Sequence, residues 1–448
     1  MAGHINVRVH NRKTLEVKLE YIPSGDPEES DYHIDLLLYI PDNVGINQAT
    51  YEKRYFYTDL FRSIRLKSPD YLLNSYYGRL KSFADECKGA LNDKKCRYQF
   101  KKFITGYRSM LRNNAGAIGK TSIPADIDFL LSNVHRIRSV FRKLNKHFGE
   151  DFHMFMLADE FTSVVTTVYL VRLYERLGGG NAKVFDTIKS ELKYRKKHFP
   201  KSLTGDDEQN SRLISRYDFL KGYFYDVLSL RAKRKVGDKA VKNMLYATAA
   251  GISMVIATGV AFWAQQAYGN FTLPFFVALV VGYMFKDRIK EGTRSLFDKL
   301  ASPVTYDYIT QVYESSGTIP MGKTWERAGF VNGHKLPDYI EPKPDEKRHI
   351  LHFNKKVHIF NKRIKELLDP DIHGISDIMR LNINRFISGL EEPMALVYSV
   401  HENHLEKTYA EKIYDIEVFL RVEAGGHIET IKGILTLTAK GIRNFRII

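Results

Sequence analysis

The first 45 residues alternate between apolar and polar side chains, which is the pattern of half-buried β-strands. The segments INVRV and TLEVKLEYI alternate in this way and are joined by the short HNRK, so they predict a β-hairpin. A third segment, YHIDLLLYI, predicts another strand that ends at PDN. We therefore expect a β-strand region over residues 1–45.

From Tyr51 the apolar spacing becomes that of helices. One stretch carries these apolar residues at helical spacing: Ile127, Leu130, Leu131, Val134, Ile137, Phe141 and Leu144. The next, EDFHMFMLADEFTSVVTTVYLVRLYERLGGG, predicts a long helix with glycine caps, and its threonine-rich centre is typical of the middle of a helical bundle. The pattern predicts a cytoplasmic helical domain over residues 46–240, which ends in a basic helical stalk.

The segment from Met244 to Phe285 contains no charged residue, whereas charges recur every few residues elsewhere. Its first part, Met244–Ala264, would form a helix of roughly 31 Å, enough to cross a hydrocarbon core of about 30 Å. Trp263 lies near the far end of this helix, where interfacial aromatic residues are common. The segment therefore predicts a two-helix transmembrane hairpin over residues 241–287.

The second apolar run of this segment is short. From Phe271 it measures roughly 22 Å, so it spans only if its helix begins near Tyr268, or if Lys286 snorkels and the bilayer thins. The alternative is a buried helical hairpin in a soluble core. Such helices carry polar residues on an outer face, so the long uncharged run favours the membrane.

Beyond the hairpin the helical spacing continues through DRIKEGTRSLFDKLAS, and the proline-rich LPDYIEPKPDEK follows as a linker candidate. We therefore assign residues 288–340 to a post-membrane helix and linker. Residues 341–448 contain several strand-like segments separated by DPD, LEEP and AGGH, and predict a cytoplasmic antiparallel β-rich domain. The predicted fold class is an α+β integral membrane protein. It has N-terminal strands and a helical bundle, a central transmembrane hairpin, and a C-terminal β-rich domain.

Charge adds an orientation to this picture. The net charge is +16, and both flanks of the hairpin, RAKRKVGDKAVKN and KDRIKEGTR, are basic while its turn is uncharged. By the positive-inside rule both termini face the cytoplasm. The first residues lack the apolar segment of a secretory signal, so we expect a bacterial inner membrane, with an organelle membrane as the alternative.

Basic residues beside the hairpin suggest contact with anionic lipid headgroups. The residues predicted to make this contact are Arg231, Lys233, Arg234, Lys235, Lys286 and Arg288. A further basic face is formed by Arg138, Arg142 and Lys146 on one predicted helix. The alternatives are an ordinary solvated face or a nucleic-acid partner, but no DNA- or RNA-binding motif accompanies these residues.

Small residues occur on one face of the first apolar helix. Ala247, Gly251 and Gly259 permit close packing of helices, within the hairpin or between copies of the chain. No ionisable side chain lies inside either span, which argues against an ion-coupled transporter. A pore would need several copies, because two helices cannot enclose a channel.

One segment matches the phosphate-binding pattern of nucleotide enzymes. GTIPMGKT supplies Gly317, Gly322, Lys323 and Thr324 at the required spacing. However, Pro320 lacks an amide hydrogen in the middle of the loop, and neither a buried strand before it nor a long helix after it is predicted. Nucleotide binding is therefore the minority hypothesis.

Other chemistry is sparse. HENH could place two imidazoles near one metal, but no carboxylate-rich motif accompanies it, so ordinary surface histidines are favoured and no metal site or cofactor is predicted. Cys87 and Cys96 match no zinc pattern, and two thiols in so long a chain suggest a reducing compartment.

These patterns favour a non-enzymatic role. We expect a membrane-anchored scaffold, sensor or assembly subunit that presents cytoplasmic domains to a partner protein or to further copies of itself. The alternatives from other classes are a membrane-tethered enzyme that uses the GTIPMGKT loop and a pore-forming oligomer of the hairpin.

Overall fold

The chain folds as an α+β protein whose strands come from both ends of the sequence. The computed structural model describes residues 2–448 apart from 23–27, 87–93, 120–121, 149–152, 238, 302–304, 316, 332–347, 368–371, 373 and 402–403. The strands are β1 (Ala2–Asn11), β2 (Thr14–Tyr21), β3 (Ser30–Pro41), β4 (Leu60–Leu66), β5 (Arg231–Val236), β6 (Tyr308–Tyr313), β7 (Pro320–Val331), β8 (Arg348–Ile359), β9 (Ile375–Asn382), β10 (Met394–His401), β11 (His404–Glu411), β12 (Tyr414–Ala424), β13 (His427–Thr438) and β14 (Gly441–Ile447).

Most helices lie in the middle of the chain. They are α1 (Lys53–Asp59), α2 (Leu73–Glu86), α3 (Lys94–Ala117), α4 (Pro124–Phe148), α5 (His153–Arg176), α6 (Ala182–His198), α7 (Asp207–Tyr225), α8 (Lys239–Tyr268), α9 (Leu273–Ala301), α10 (Asn361–Leu367) and α11 (Asn384–Ser388). Helices α2 to α7 form a bundle, and we call α8 and α9 together the helical hairpin.

Two antiparallel sheets combine strands from the two ends of the chain. The larger sheet has the order β14-β13-β12-β3-β8-β7-β6-β5, and the smaller has the order β1-β2-β9-β4. Strands β10 and β11 form a separate two-stranded hairpin. The predicted β regions over 1–45 and 341–448 therefore contribute to the same sheets, a question that the sequence pattern left open.

Strand β3 lies at the centre of the larger sheet, between β8 and β12. Its LLLYI run buries both faces of the strand: Leu36 and Leu38 point to one side, and Leu37 packs on the other side against Ile350. A strand that is apolar on both faces needs cover on both faces, which explains why alternation alone gave an incomplete picture of this segment.

Helix α5 is the buried centre of the bundle, which confirms the interpretation of its threonine-rich stretch. It is long and apolar enough to cross a membrane, but 78% of its most apolar window is buried. Two glycines with positive φ, Gly178 (82°) and Gly179 (77°), follow its last turn as predicted caps.

The predicted helical stalk is confirmed only in its first part, which is α7, and it is wrong for its basic segment, which is strand β5. This segment pairs antiparallel with β6. Its side chains reach aromatic rings on that neighbour: the Lys233 ammonium lies 4.6 Å from the ring centre of Tyr313, and the Arg234 guanidinium lies 3.4 Å from that of Tyr308. Such cation–π contacts stabilise an extended basic segment that helical spacing alone does not reveal. Strand β4 was likewise missed within the helical region.

The expectation of two free thiols is also wrong, because Cys96 forms a disulfide bond. Cys96 lies in α3 and is only 6% exposed. Whether two sulfur atoms meet depends on the separation of their backbones, which sequence spacing does not report. The predicted proline-rich linker falls within 332–347, outside the described residues.

Candidate functional site

The helical hairpin is inserted into a β-hairpin at the edge of the larger sheet. Strand β5 leads into α8 and α9 leads back into β6, with Val236 opposite Tyr308. The amide of Gly237 donates a 2.9 Å hydrogen bond to the carbonyl of Asp307. A Cβ at position 237 would lie 2.4 Å from the carbonyl oxygen of Tyr306, so this crossing requires glycine. Both helices therefore leave the sheet edge side by side.

The outer surface of the helical hairpin is apolar and exposed. Val241–Tyr268 is long and apolar enough to cross a membrane, and only 11% of its most apolar window is buried, in contrast to α5. The large exposed side chains of the hairpin include Met244, Met254, Val255, Phe262, Trp263, Phe271, Leu273, Phe276, Tyr283, Met284 and Phe285. A continuous apolar surface of this kind marks a site that a membrane or a partner covers.

The two helices pack through a different face from the one that the small residues suggested. Ala249, Ser253 and Ala264 are buried between the helices. A Cβ at Gly282 of α9 would lie 3.3 Å from Cγ1 of Val260, so glycine permits this approach.

The small residues singled out from the sequence lie on the outer surface of α8. Ala247, Gly251 and Gly259 are exposed. A Cβ at Gly251 or Gly259 would meet no neighbouring atom within 4 Å, so these glycines do not hold the two helices together. Packing between copies of the chain stays a prediction for this face.

Arg234, one of the residues predicted to contact lipid, already has its charge paired within the fold. Its guanidinium lies over Tyr308 and 5.2 Å from the ring centre of Tyr57, and one nitrogen lies 3.6 Å from the Glu326 carboxylate. One third of the side chain is exposed, so this pairing is partly screened by solvent.

The other basic residues at the base of the hairpin differ in exposure, and Lys286 is half-buried. Arg231 lies beside the turn at Gly317, and Lys235 is exposed on the outermost strand. On α9 the Lys286 ammonium lies 4.1 Å from the ring centre of Tyr283. Contact of these residues with lipid headgroups stays a prediction.

Two of the predicted lipid contacts, Arg234 and Arg288, have a described ion pair, and Arg288 is the more exposed. Its side chain is 83% exposed, and one nitrogen lies 3.6 Å from the carboxylate of Glu291 one turn further along α9. A pair this exposed leaves both charges in contact with the surroundings of the hairpin.

A buried ionic cluster joins the two sheets near the base of the hairpin, and sequence reasoning missed it. Lys355 on β8, only 1% exposed, pairs with Asp377 on β9, and its Nζ lies 3.8 Å from the carboxylate of Glu326 on β7. Glu326 also pairs with Arg62 on β4. The hydroxyl of Tyr21 donates to Asp377 at 3.1 Å, and burial, followed by the charge of this carboxylate, raises the pKa of Tyr21 well above its ordinary value.

This cluster connects strands and is closed to a substrate. Lys355 is the one charge on the buried side of HILHFNKKVHIF, where Leu351, Phe353, Val357 and Ile359 are its apolar companions. A charged residue at an apolar position of the strand pattern was the sequence signal for this cluster, since a buried charge requires a partner. Because the paired groups come from four strands, the cluster ties the sheet that carries β5 to the smaller sheet.

A second buried cluster lies in the helical bundle and uses residues that the sequence assigned to a basic surface. Arg138, 1% exposed, lies 2.7 Å from Asp159 and 3.4 Å from Glu191, and it donates to the Thr162 hydroxyl. Arg142 also pairs with Glu191. The interpretation of Arg138 as a lipid-facing residue is therefore wrong: acids on α5 and α6 neutralise it, and helical spacing could not show that they face it. Lys146 has no described side chain.

These pairings set the charge state of the bundle. Burial by itself would raise the pKa of Glu191, but the guanidinium of Arg138 and then that of Arg142 hold this pKa below its ordinary value. Glu191 therefore remains ionised inside the bundle, where the hydroxyl of Ser163 also donates to it at 2.7 Å.

The GTIPMGKT segment forms a turn and a strand. Gly317 has φ 83° in the turn, and Pro320 begins β7, so Gly322, Lys323 and Thr324 lie on an extended strand paired with β6 and β8. Thr324 is 1% exposed, and the Lys323 ammonium lies 4.7 Å from the ring centre of Trp325. A phosphate cradle needs consecutive amides around the N-terminus of a helix, and here those amides belong to a sheet.

We expect Lys323→Ala to change the free energy of unfolding by less than about 1 kcal/mol, because it removes one partly exposed cation–π contact. Lys356→Ala is the matched control, since the Lys356 ammonium lies 5.9 Å from the same Trp325 ring. Thermal unfolding and titration with fluorescent ATP analogues would measure both effects. Micromolar nucleotide binding that disappears only in Lys323→Ala would show that this segment is a nucleotide site.

Comparison with protein-family models, curated proteins and solved structures gives no match. Among the described residues, no group of three or more histidine, cysteine or acidic side chains is arranged to hold a metal ion. The helical hairpin and the charges at its base are therefore the features from which a function can be argued.

Proposed function

We propose that this protein is a non-enzymatic membrane-anchored scaffold or assembly subunit, in which the helical hairpin holds the sheets and the helical bundle at one face of a bilayer. The observation that carries this proposal is the exposed apolar surface of α8 and α9, which projects from a folded body whose other apolar helix, α5, is buried. Transfer of such a surface from water into lipid is favourable in proportion to its area.

The attachment of the hairpin supports an anchoring role. Both helices start from one sheet edge, between β5 and β6. This supports a placement of the folded parts before and after the hairpin on the same side of the membrane. The strands at this edge are tied to the rest of the fold through the Arg234–Glu326 pair and the buried Lys355 cluster. Force on the hairpin would thus be transmitted to both sheets.

The charges at the base of the hairpin support a cytoplasmic location of the folded body. Lys235, Lys286 and Arg288 lie where an anionic cytoplasmic leaflet would attract them, at about 1 kcal/mol for each residue near the surface. This favours a cytoplasmic location at a bacterial inner membrane. A disulfide is unusual in that compartment, but Cys96 is buried, and restricted access slows attack by reducing thiols.

A non-enzymatic role is supported by the state of the charged clusters. The two ionic clusters described above are buried, and Lys355 and Arg138 are each paired with acids inside the fold. They stabilise the fold and have no exposed face for a substrate. The exposed small-residue face of α8 supports packing against a second copy of the chain.

Extraction of native membranes tests the proposal directly. We expect the full-length chain to remain in the pellet after high salt and after alkaline carbonate, and to float with liposomes, with more binding to anionic than to neutral vesicles. The particle mass in detergent, compared with the 51.8 kDa chain, distinguishes a monomeric anchor from an oligomer. Release of the protein by carbonate would contradict membrane anchoring.

A further inference from the structure

The relative positions of α8 and α9 define how much of the helical hairpin is free of charge. Gly282 lies against Val260, and the guanidinium of Arg294 lies 3.9 Å from the ring centre of Tyr246. In this antiparallel pair, a residue of α9 therefore lies level with the residue of α8 whose number, added to its own, gives about 541. By this register Lys286 lies level with Val255 of α8.

The charge-free part of the pair is therefore much shorter than α8 alone suggests. Helix α9 begins at Leu273 and not near Tyr268, so its uncharged part ends at Phe285 after roughly 20 Å. The remainder of α9 is charged and lies beside apolar residues of α8. Its charged residues include Lys286, Asp287, Arg288, Lys290, Glu291 and Arg294. Among the described residues, α9 is not one of the two helices that are long and apolar enough to cross a membrane.

A hydrocarbon core of about 30 Å cannot accommodate this pair without burying charges. If the whole apolar length of α8 lay in lipid, Arg288 and Glu291 would lie in the hydrocarbon with side chains that are 83% and 73% exposed. Ionisable residues at membrane depth normally face protein or a water-filled cavity, and these side chains face outwards. The charges of α9 must therefore stay at headgroup level.

The two ends of the charge-free part have the composition of membrane interfaces. At its base, Tyr283 is 65% exposed and adjoins Lys286, a combination that places a ring and a snorkelling ammonium at headgroups. Near its tip, Trp263 is 61% and Tyr268 46% exposed. Gln265, Gln266 and Asn270 are also exposed at the tip, and their amides favour water over the centre of a bilayer.

We infer that the helical hairpin spans only a thin hydrocarbon core, of roughly 20 Å, and therefore selects thin bilayers or thins the bilayer around itself. This inference rests on the proposed anchoring function and specifies its lipid partner. The polar tip reaches the far headgroups, the base charges remain at the near headgroups, and the lipid between them is shorter than average.

The test is insertion of the full-length protein from detergent into liposomes of neutral lipids whose acyl chains range from about 14 to about 22 carbons. We expect the carbonate-resistant, floating fraction to fall by about tenfold or more from the shortest to the longest chains, because mismatch costs free energy for each ångström. A matched variant combines Lys286→Leu, Asp287→Leu, Arg288→Leu and Lys290→Leu. It lengthens the charge-free part of α9 to roughly 27 Å and should move the optimum to longer chains.

A cysteine at the tip reports whether the hairpin crosses. Asn270 is the suitable position, because the neighbouring Gly269 and Phe271 have φ of 73° and 63°, where a substitution adds strain. In a background without the native cysteines, Asn270→Cys in thin liposomes should react with an impermeant maleimide from the face opposite to Glu429→Cys, an exposed site on β13.

The outcomes separate this inference from the proposed function. A floating fraction that is equal for all chain lengths, with an Asn270→Cys that reacts from neither face, would show a hairpin that enters and leaves through one leaflet, and would overturn the thin-bilayer inference alone. Failure to float with any liposome would overturn the anchoring function as well.

Discussion

Replacement of residues 238–306 by an Asn-Gly turn is expected to move the protein completely from the membrane fraction to the soluble fraction. Val236 already faces Tyr308, and Gly237 is hydrogen-bonded to Asp307, so a two-residue turn can close β5 and β6 into a continuous hairpin. Asp307 is retained because its carboxylate accepts hydrogen bonds from the Tyr57 hydroxyl and the Ala328 amide. Fractionation without detergent measures the distribution.

The same variant should keep the folded body intact, since the excised helices contact mainly each other. We expect its melting temperature in solution to stay within a few degrees of that of the full chain in detergent. A second variant, Val280→Glu with Phe262→Glu and Phe276→Glu, keeps the chain length and places three charges at exposed positions within the charge-free part of the hairpin, where each costs about 2.5–3.5 kcal/mol in lipid. Persistent membrane association of both variants would show that the hairpin is not the anchor.

Substitution of Arg138 by Met is expected to lower the stability of the helical bundle by about 3–5 kcal/mol, because it leaves Asp159 and Glu191 buried without their cation. This corresponds to a fall in melting temperature of roughly 6–20 °C for a unit of this size. Arg142→Met is the matched control: Arg142 also pairs with Glu191 but its side chain is 28% exposed, so we expect a loss of about 1 kcal/mol.

The pH dependence of the two proteins distinguishes lost charge pairing from lost packing. In the wild type the pKa of Glu191 is held below its ordinary value, so its stabilising contribution is complete above that ordinary value and is lost as the pH falls through the lowered one. In Arg138→Met the unpaired carboxylates gain stability from protonation. The difference in melting temperature should therefore narrow as the pH is lowered from 7 towards about 4. A difference that is independent of pH would indicate a packing defect.

The basic cluster before the hairpin shows where sequence patterns and structure diverge. RAKRK follows a predicted helix and precedes an apolar one, so local spacing favoured a helical stalk. Its extended conformation arises from β6, which lies more than 70 positions later and supplies both hydrogen bonds and the aromatic rings of Tyr308 and Tyr313. Local propensity is a weak constraint when a distant strand offers a full set of backbone partners.

The GTIPMGKT segment shows that a match of residue types can also suggest a site that the fold does not form. Its residue types fit a phosphate loop. The objection that no long helix follows it agrees with strand β7, but the objection that no strand precedes it is wrong, because β6 lies directly before the turn. Residue types at a fixed spacing specify a site only when the surrounding elements hold their amides in the required arrangement. The ionic clusters of Lys355 and Arg138 were missed because each joins residues that are far apart along the chain.

Features that depend on neighbouring residues could be predicted from local patterns along the chain. The uncharged run from Met244 to Phe285 predicted a pair of apolar helices, and the threonine-rich stretch of α5 predicted a buried bundle helix, because composition and spacing act locally through burial and backbone hydrogen bonds. Three features became evident only from the folded chain: which strands pair, that both ends of the chain share two sheets, and that the charged half of α9 lies beside the apolar base of α8. These features follow from contacts between distant segments, whose free energy depends on the whole fold and leaves no periodic signal in either segment alone.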